Sequence, residues 1–177
     1  MRPRFSVFIA MSIDGYIARR DGSIDWLQIV HPLDESHGYD AFFASVDALV
    51  VGRGTYDTVQ TFPEWPYGAK RVIVLTHRPA EPRHGVEPFD GQVIDLVEKL
   101  AGATRVYVDG GAAIRQFLAA DLIDDMTISV VPIVLGDGIR LFPGGEGEHR
   151  LALEGHRTWP SGLAQLRYRV ARTSDRT

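Results

Sequence analysis

The sequence predicts a single α/β domain built on a mixed, mainly parallel sheet that ends in an antiparallel hairpin. Two patterns in the 177-residue chain carry this prediction. Through most of its length, short runs rich in Val, Ile and Phe alternate with segments of helical spacing, which is typical of parallel strands joined by helices. In the last segment, apolar and polar residues alternate one by one, as in an antiparallel strand with one face in water.

The parallel part of the sheet is predicted from four short apolar runs. These runs are Arg4–Ile13, Asp47–Val51, Arg71–Thr76 and Arg105–Val108. Between them, apolar residues at helical spacing predict helices over Tyr39–Val46, Gly54–Gln60 and Ile94–Ala101.

The final third of the chain predicts strands without intervening helices. Met126–Leu135 is an apolar run broken by Pro132, which indicates a strand with a bulge or an edge position. Arg150–His156 and Leu163–Ala171 follow and predict a hairpin. We expect residues 1–172 to form the single domain and residues 173–177 a disordered tail.

Composition and charge exclude several classes of protein. The net charge of −4 and the lack of a basic run give no reason to expect nucleic acid as a partner. Zero cysteines and six histidines without ligand spacing predict no metal site. No run approaches the ~20 apolar residues of a membrane span, so we expect no membrane partner. The lack of cysteine fits a cytoplasmic location, which we expect. Phosphate-binding motifs such as Gly-x-Gly-x-x-Gly are also absent.

A diglycine corner is the first candidate for chemistry. Val106–Leu118 predicts a short strand, a corner at Gly110-Gly111 and then a helix. Two glycines remove the Cβ atoms from the place where the first N–H groups of the helix point outward, so a phosphate can accept those N–H groups. The alternative is a tight turn that needs a positive φ.

Two further strand ends carry groups that suit a phosphate. In Gly52-Arg53-Gly54-Thr55 the first glycine clears the backbone, while the arginine offers a forked cation and the threonine a hydroxyl. The alternative is a capped helix start with a solvated arginine. In Thr76-His77-Arg78 the basic groups can receive the 2′-phosphate that distinguishes NADP from NAD. The alternative there is an ordinary polar loop.

The segment after the first strand predicts a flap. Two Asp-Gly corners, Asp14-Gly15 and Asp21-Gly22, flank a short apolar stretch, which indicates a hairpin-like structure over the strand end. Trp26 follows the second corner. It is either an anchor in the core or a stacking wall for a planar ligand.

The order of four motifs resembles the dihydrofolate reductase superfamily. The motifs are Ser12–Gly15, Gly52–Tyr56, Asp109–Gly111 and Pro132–Phe142. Within that superfamily the chain is similar to stand-alone relatives of the reductase domain of the bifunctional riboflavin-biosynthesis deaminase-reductase. Gly162–Tyr168 resembles the same branch, and the similarity extends from about Phe5 to Val170.

The resemblance implies a three-layer dihydrofolate reductase-like fold with NADPH across the strand ends. The positions that correspond to the family's cofactor contacts fall into four groups. They are Gly52, Arg53 and Thr55 at the first phosphate corner; Thr76, His77 and Arg78 at the 2′-phosphate; Gly110, Gly111, Ala112, Ala113 and Ile114 under the pyrophosphate; and Ala10 and Ile17 beside the nicotinamide.

The resemblance says less about the substrate. Dihydrofolate reductases carry a carboxylate on the first long helix, and aligning that helix makes Asp40 the candidate catalytic acid, unless it is a solvated residue at the helix start. Asp14, Trp26 and Phe43 are the candidate substrate contacts. Asp109 stands where the riboflavin branch often has a glutamate, and it receives no role.

These observations predict an NADPH-dependent reductase that transfers a hydride to a small planar nitrogen heterocycle, pterin-like or pyrimidine-like. Its proton comes from Asp40, from water ordered by Asp14 or from bulk solvent. One alternative is a riboflavin-pathway reductase of a ribosylamino-pyrimidine, whose phosphate Arg115 or Arg140 could meet. The other is a non-catalytic NADPH-binding module. We expect a homodimer, paired through an edge formed by the Met126–Leu135 strand and the final hairpin.

Overall fold

A computed structural model describes residues 2–30, 35–78, 83–145 and 147–172; the predicted tail at 173–177 lies outside the described residues. Within these ranges the chain forms ten β-strands and four α-helices. The strands are β1 (Arg4–Ser12), β2 (Tyr16–Ala18), β3 (Ala48–Gly52), β4 (Arg71–Leu75), β5 (Glu87–Phe89), β6 (Arg105–Asp109), β7 (Ile123–Val131), β8 (Ile139–Arg140), β9 (Leu151–Thr158) and β10 (Ala164–Val170). The helices are α1 (Tyr39–Ala44), α2 (Arg53–Val59), α3 (Leu96–Lys99) and α4 (Gly111–Ala119).

Eight strands form one mixed sheet in the order β5-β4-β3-β6-β1-β7-β10-β9. The six strands from β5 to β7 are parallel to one another, and β10 and β9 are antiparallel additions at one end. This arrangement confirms the predicted mixed sheet with its C-terminal hairpin. The two remaining strands, β2 and β8, pair with each other in a small separate sheet.

Helices cover both faces of the parallel part and produce the three layers. On one face, α3 and α4 bury Leu96, Ile114 and Phe117 against the sheet. On the other face, α1 and α2 bury Phe42 and Tyr56. Each fully buried side chain of this size contributes about 1.5–3 kcal/mol. The apolar spacing that predicts the helices is therefore the spacing that builds the two halves of the core.

Strand β7 corrects one expectation. It ends at Val131, before Pro132, and it lies between β1 and β10 in the interior of the sheet. The predicted strand through Pro132, with a bulge there or an edge position, is therefore wrong. Proline has no N–H to donate and cannot sit in a ladder with neighbours on both sides, so the strand has to end before it. The free edge at this end of the sheet belongs to β9 alone.

The flap differs from the predicted hairpin because its strand pairs with a distant part of the chain. The chain turns at Gly15, whose N–H donates to the carbonyl of Ser12 at 3.0 Å, and then enters β2. Strand β2 pairs with β8, more than a hundred residues further on, instead of folding back as a local hairpin. Both strands are too short for periodicity to reveal them.

Two features are absent from the described ranges of the chain. No helix there is long and apolar enough to cross a membrane. No group of three or more His, Cys, Asp or Glu side chains in those ranges is arranged to hold a metal ion.

Candidate functional site

The three predicted phosphate-binding motifs lie at one edge of the sheet. Strands β4, β3 and β6 are consecutive neighbours and run parallel, so their carboxyl ends meet at the same edge. Thr76-His77-Arg78 follows β4, Gly52-Arg53-Gly54-Thr55 spans the end of β3, and Gly110-Gly111 follows β6. Open α/β sheets bind ligands in this position.

The corners after β3 and β6 are in direct contact. Gly110 has a φ of +88°, and a Cβ atom added to it would lie 2.1 Å from the hydroxyl oxygen of Thr55. Glycine is therefore required here both for its backbone conformation and for the space it leaves. Gly52 also lies beside the start of α4, where an added Cβ would make an ordinary contact of 3.7 Å with the Cβ of Ala112.

The start of α4 presents backbone donors at this edge. The first bond of its opening turn runs from the N–H of Ile114 to the carbonyl of Gly110 at 2.9 Å. The N–H groups of Gly111, Ala112 and Ala113 therefore have no acceptor within the helix. The side chains of Ala113 and Ile114 are fully buried in the core, so only their backbone can face a ligand.

Arg53 connects the corner after β3 to the end of β4. Its Nε donates to Asp57 at 2.7 Å, and one Nη reaches the hydroxyl of Thr76 at 3.5 Å. The Thr76 hydroxyl in turn donates to the carbonyl of Arg78 at 2.9 Å and shapes the turn after β4. The side chains of His77 and Arg78 are exposed there, with the His77 ring against the carboxylate of Asp90.

Ala10 lies in β1 and Ile17 in β2, and their side chains pack against different parts of the core. Ala10 is partly buried beside the cluster of Trp26, and Ile17 packs against the core beneath α4. The Cδ1 atom of Ile17 would lie 3.0 Å from a Cβ added to Gly111. Ile17 therefore borders the diglycine corner, whereas Ala10 faces the α1 side of the sheet.

Asp14 is held by the loop after β7. Its Oδ1 accepts hydrogen bonds from the hydroxyl of Ser12 at 2.6 Å and the N–H of Leu135 at 3.1 Å, and its Oδ2 accepts one from the N–H of Gly136 at 2.7 Å. The Ser12 hydroxyl, followed by the two backbone donors, lowers the pKa of Asp14 to about 2. This carboxylate fastens the flap to the β7 loop.

Trp26 occupies the core. Its ring is 2% exposed and packs with Val30, Val131, Trp159 and Leu163. The sequence left open whether Trp26 is a core anchor or a stacking wall for a ligand, and this burial favours the core anchor.

Helix α1 exposes Asp40 and leaves Phe43 half-buried. Asp40 lies in the first turn with its side chain in solvent. Phe43 stacks on Tyr39 at 5.6 Å, and the ammonium group of Lys70 lies 4.9 Å from the centre of its ring. The neighbouring Phe42 is buried in the core on this face, and Phe43 packs at the margin of the same cluster.

Asp109, the last residue of β6, is the half-buried carboxyl of this edge. Its Oδ1 accepts the N–H of Gly110 at 2.8 Å, and its Oδ2 accepts the hydroxyl of Tyr67 at 3.3 Å. Tyr39 and Tyr107 lie close enough to interact with it electrostatically. Burial raises the pKa of Asp109, and the three hydrogen-bonding groups around it, Gly110, Tyr107 and Tyr67, only partly oppose that rise.

Sequence reasoning left Asp109 without a role. A carboxylate directly before a diglycine at a strand end was a visible signal. The tyrosine that contacts it was not, because Tyr67 lies 42 residues away along the chain in a segment without regular structure.

The fold and this edge define a dihydrofolate reductase-like α/β protein. The dihydrofolate reductase of Enterococcus faecalis, solved with NADP(H), superposes with a TM-score of 0.66 at 15% identity, over 96% of each chain. The chain belongs to the RibD C-terminal domain family, whose profile matches residues 3–164. This is a family of NADPH-dependent reductases that typically bind NADP(H).

Two relatives match along nearly their whole length. The first is a Shewanella sp. PV-4 protein described provisionally as a riboflavin biosynthesis protein. Its crystal structure has a TM-score of 0.85 and 37% identity, and the match covers 97% of this chain and 100% of that one. The second, the uncharacterized protein YwjB of Bacillus subtilis (strain 168), is 34% identical, with 95% of this chain and 98% of YwjB covered. The family and the fold implied by the resemblance are thus confirmed.

Proposed function

We propose that this protein is an NADPH-dependent reductase that transfers a hydride to a small planar nitrogen heterocycle, such as a pterin or a pyrimidine. The observation that carries the proposal is the contact between the two glycine corners, Gly52 and Gly110-Gly111, at the edge where the resemblance implies that NADPH lies. Any side chain at Gly110 would fill the space between them.

The residues of this edge fit the phosphates of NADPH. The N–H groups at the start of the nine-residue helix α4 suit the pyrophosphate, helped by the helix dipole. Arg53 and the Thr55 hydroxyl border the same space. Arg78 and His77 stand exposed at the next strand end, where they would bind the 2′-phosphate.

Bound NADPH supplies the hydride, and the protein has to supply a proton. Asp109 is the group that suits this task. A carboxyl with a raised pKa stays protonated closer to neutral pH, so it can donate to a nitrogen or oxygen of the substrate. Asp14 has no proton to donate near neutral pH because its pKa is about 2, and Asp40 is exposed to solvent. Asp109 therefore replaces Asp40 as the proposed donor.

A heterocycle can approach Asp109 from the α1 side of the sheet. Phe8, Ala10 and Tyr39 are partly exposed there, and apolar surfaces of this kind suit a flat ring. Both glycine corners lie at the same strand ends, so the proposed proton donor stands next to the proposed cofactor site.

A riboflavin-pathway substrate remains the second candidate, because the family match supports it. Its phosphate would need free cations. Arg140 instead donates to Tyr16 at 3.0 Å and to the carbonyl of Asp14 at 3.2 Å, while Arg115 donates to the carbonyl of Leu141 at 3.1 Å. These bonds disfavour both arginines as phosphate ligands.

Cofactor titration is the first test. We expect NADPH to bind more tightly than NADH, as measured by quenching of tryptophan fluorescence. Arg78→Ala should weaken NADPH about 10-fold to 100-fold and leave NADH nearly unchanged, since it removes one charged hydrogen bond to the 2′-phosphate. Arg150→Ala, at the far end of the sheet, is the matched control. Equal weakening of both cofactors would contradict the assignment of Arg78.

Substrate is tested by the loss of NADPH absorbance with dihydropterins, folates and ribosylamino-pyrimidines. Oxidation of NADPH by a pterin or a simple pyrimidine supports the proposal. Oxidation of NADPH by the ribosylamino-pyrimidine alone supports the second candidate. Binding of NADPH without turnover on any of them would favour a non-catalytic binding module.

We also propose that the protein is a homodimer paired through β9. This eight-residue strand is a free edge of the sheet, and Leu153 on it is 56% exposed. Antiparallel pairing of two copies can place Glu154 of one beside Arg157 of the other. Light scattering after size exclusion should give twice the chain mass, and Leu153→Glu should reduce it to one; a monomeric native protein would exclude the dimer.

A further inference from the structure

Tyr67 is held at the site by its packing in the core. It lies between α2 and β4, outside any helix or strand, yet it is only 3% exposed. Trp65 contacts its ring edge-on at 5.1 Å, and Trp65 itself stacks flat on the ring of His84 at 4.4 Å. This packing fixes the phenol where its hydroxyl reaches the end of β6.

The hydroxyl of Tyr67 donates a hydrogen bond to the Asp109 carboxyl in addition to the one from the backbone. The N–H of Gly110 binds Oδ1, and Tyr67 binds Oδ2, so each oxygen of the carboxyl has one donor. With both oxygens engaged, rotation of the carboxyl about its bond to Cβ breaks at least one hydrogen bond. The proton of Asp109 is thereby held in one orientation.

Tyr107 is the second phenol beside Asp109, and its hydroxyl also lowers the pKa of that carboxyl. The proton of this hydroxyl is donated to the carbonyl of Phe8 at 2.8 Å, so among the described side chains Tyr67 is the one that donates to Oδ2 of Asp109. Tyr39, from α1, faces Asp109 and the exposed Asp40 without a hydrogen bond to either within the described ranges. Strand β3 places the apolar Val51 opposite Asp109, and β1 brings the apolar Phe8 to this face. No lysine, arginine or histidine of the described chain acts on the carboxyl.

We propose that Tyr67 is the positioning residue of this site: its hydroxyl fixes the direction of the Asp109 carboxyl and determines the pH range over which that carboxyl carries its proton. This inference rests on the proposed role of Asp109 as proton donor. Tyr67 contacts neither substrate nor cofactor in this scheme and acts only through Asp109.

The direction of the effect follows from the charge states. A hydroxyl that donates to a carboxylate stabilises the ionised form, so it lowers the pKa of Asp109 from the value that burial alone would impose. Without that donor the carboxyl holds its proton more tightly. It becomes a weaker acid that stays protonated to a higher pH.

Tyr67→Phe tests the inference, because it removes the hydroxyl and keeps the ring between its aromatic neighbours. The pKa of Asp109 is measured in the ligand-free protein by carbon NMR of labelled aspartate, with Asp109→Asn identifying the resonance. We expect the pKa to rise by about one pH unit, the effect of one hydrogen bond. The fall in turnover at high pH should move upward by the same amount.

Tyr39→Phe is the matched control, since it removes a hydroxyl that faces Asp109 without bonding to it. It should move the pKa of Asp109 less than Tyr67→Phe does. An unchanged pKa in Tyr67→Phe, or an equal change in both variants, overturns the inference even if Asp109 proves essential. If the pKa rises but the pH dependence of turnover stays in place, Tyr67 positions Asp109 as inferred and the proposed proton donation fails instead.

Discussion

Asp14 and Asp109 are both carboxylates at strand ends, and each is followed by a glycine with positive φ. Asp14, after β1, receives one hydroxyl and two backbone N–H groups, which hold its pKa at about 2. Asp109, the last residue of β6, is desolvated beside tyrosines, and this raises its pKa although hydrogen bonds from its neighbours oppose the rise. The same local sequence pattern, Asp-Gly after an apolar strand, thus gives two groups of opposite character.

The difference shows that the surroundings of a carboxyl decide its chemistry. Donors that favour the ionised form turn Asp14 into a permanent anion that ties two loops together. Desolvation without a nearby cation favours the neutral form of Asp109, which is the form that the proposed proton transfer needs. Mutations that separate these two roles test the comparison directly.

The largest expected effect is on turnover. Asp109→Asn should lower the rate about 100-fold or more, because it removes the proposed proton donor while keeping its shape. NADPH affinity should stay within about 2-fold, since the amide adds no charge near the phosphates. Steady-state kinetics with the substrate identified by the assay, together with fluorescence titration, measure both.

Asp14→Asn is the matched variant for that experiment. It should leave the pH dependence of turnover in place, because Asp14 has no part in the proposed proton transfer. If Asp14→Asn abolished turnover and Asp109→Asn did not, the assignment of the two carboxyls would be reversed.

The next effect separates the two glycines that follow these carboxyls. Gly15→Ala should cost about 1–2 kcal/mol of folding stability, because its φ is +85° but an added Cβ meets nothing closer than 3.9 Å. Gly110→Ala should cost about 3–5 kcal/mol, because the same backbone strain is joined by the contact with Thr55. Urea denaturation gives both values.

Gly102→Ala serves as the control, since nothing lies within 4 Å of a Cβ added there and its φ lies outside the left-handed region. It should change stability by less than either of the others. Equal losses at Gly15 and Gly110 would show that the Thr55 side chain yields without cost.

The smallest effect concerns the pH dependence of stability. The folded pKa of Asp14, about 2, lies below its ordinary value of 3.8, so its contribution is complete above that value and is lost as the pH falls toward 2. Asp109 has a raised folded pKa, so its contribution is present below 3.8 and is lost as the pH rises through the folded pKa. Asp14→Asn should reduce the loss of folding stability at acidic pH. Asp109→Asn should reduce the loss of folding stability as the pH rises.

Chemical denaturation from about pH 3 to pH 8, compared with the native protein, separates these two changes. A flattened acid side in Asp109→Asn would mean that its carboxyl is ionised in the folded protein like that of Asp14.

Much of the fold was predictable from local patterns. The runs that became β1, β3, β4 and β6 are apolar on both sides because helices cover both faces, and such runs are evident without any partner. The hairpin of β9 and β10 was equally clear from its alternation. Strand β7 was misplaced because the apolar run continues past Pro132, while the missing N–H of that proline ends the ladder.

The candidate site also has one part that the sequence predicts and one part that it does not. Its glycine corners are local motifs, so sequence alone located them. The surroundings of Asp109 depend on Tyr67 and on burial under α1, and neither leaves a trace near position 109 in the chain. Trp26 is a second example, since its burial is decided by Val131 and Trp159, which lie more than a hundred residues away.

The close approach of Gly110 to Thr55 has a consequence for how a ligand binds. Because the corners after β3 and β6 touch through backbone and a short side chain, neither can shift without displacing the other. The edge is therefore preorganised, and the entropy of ordering it is spent during folding and not on association. Binding there should proceed with little change in the backbone of either corner, and flexibility will be confined to the exposed residues around them.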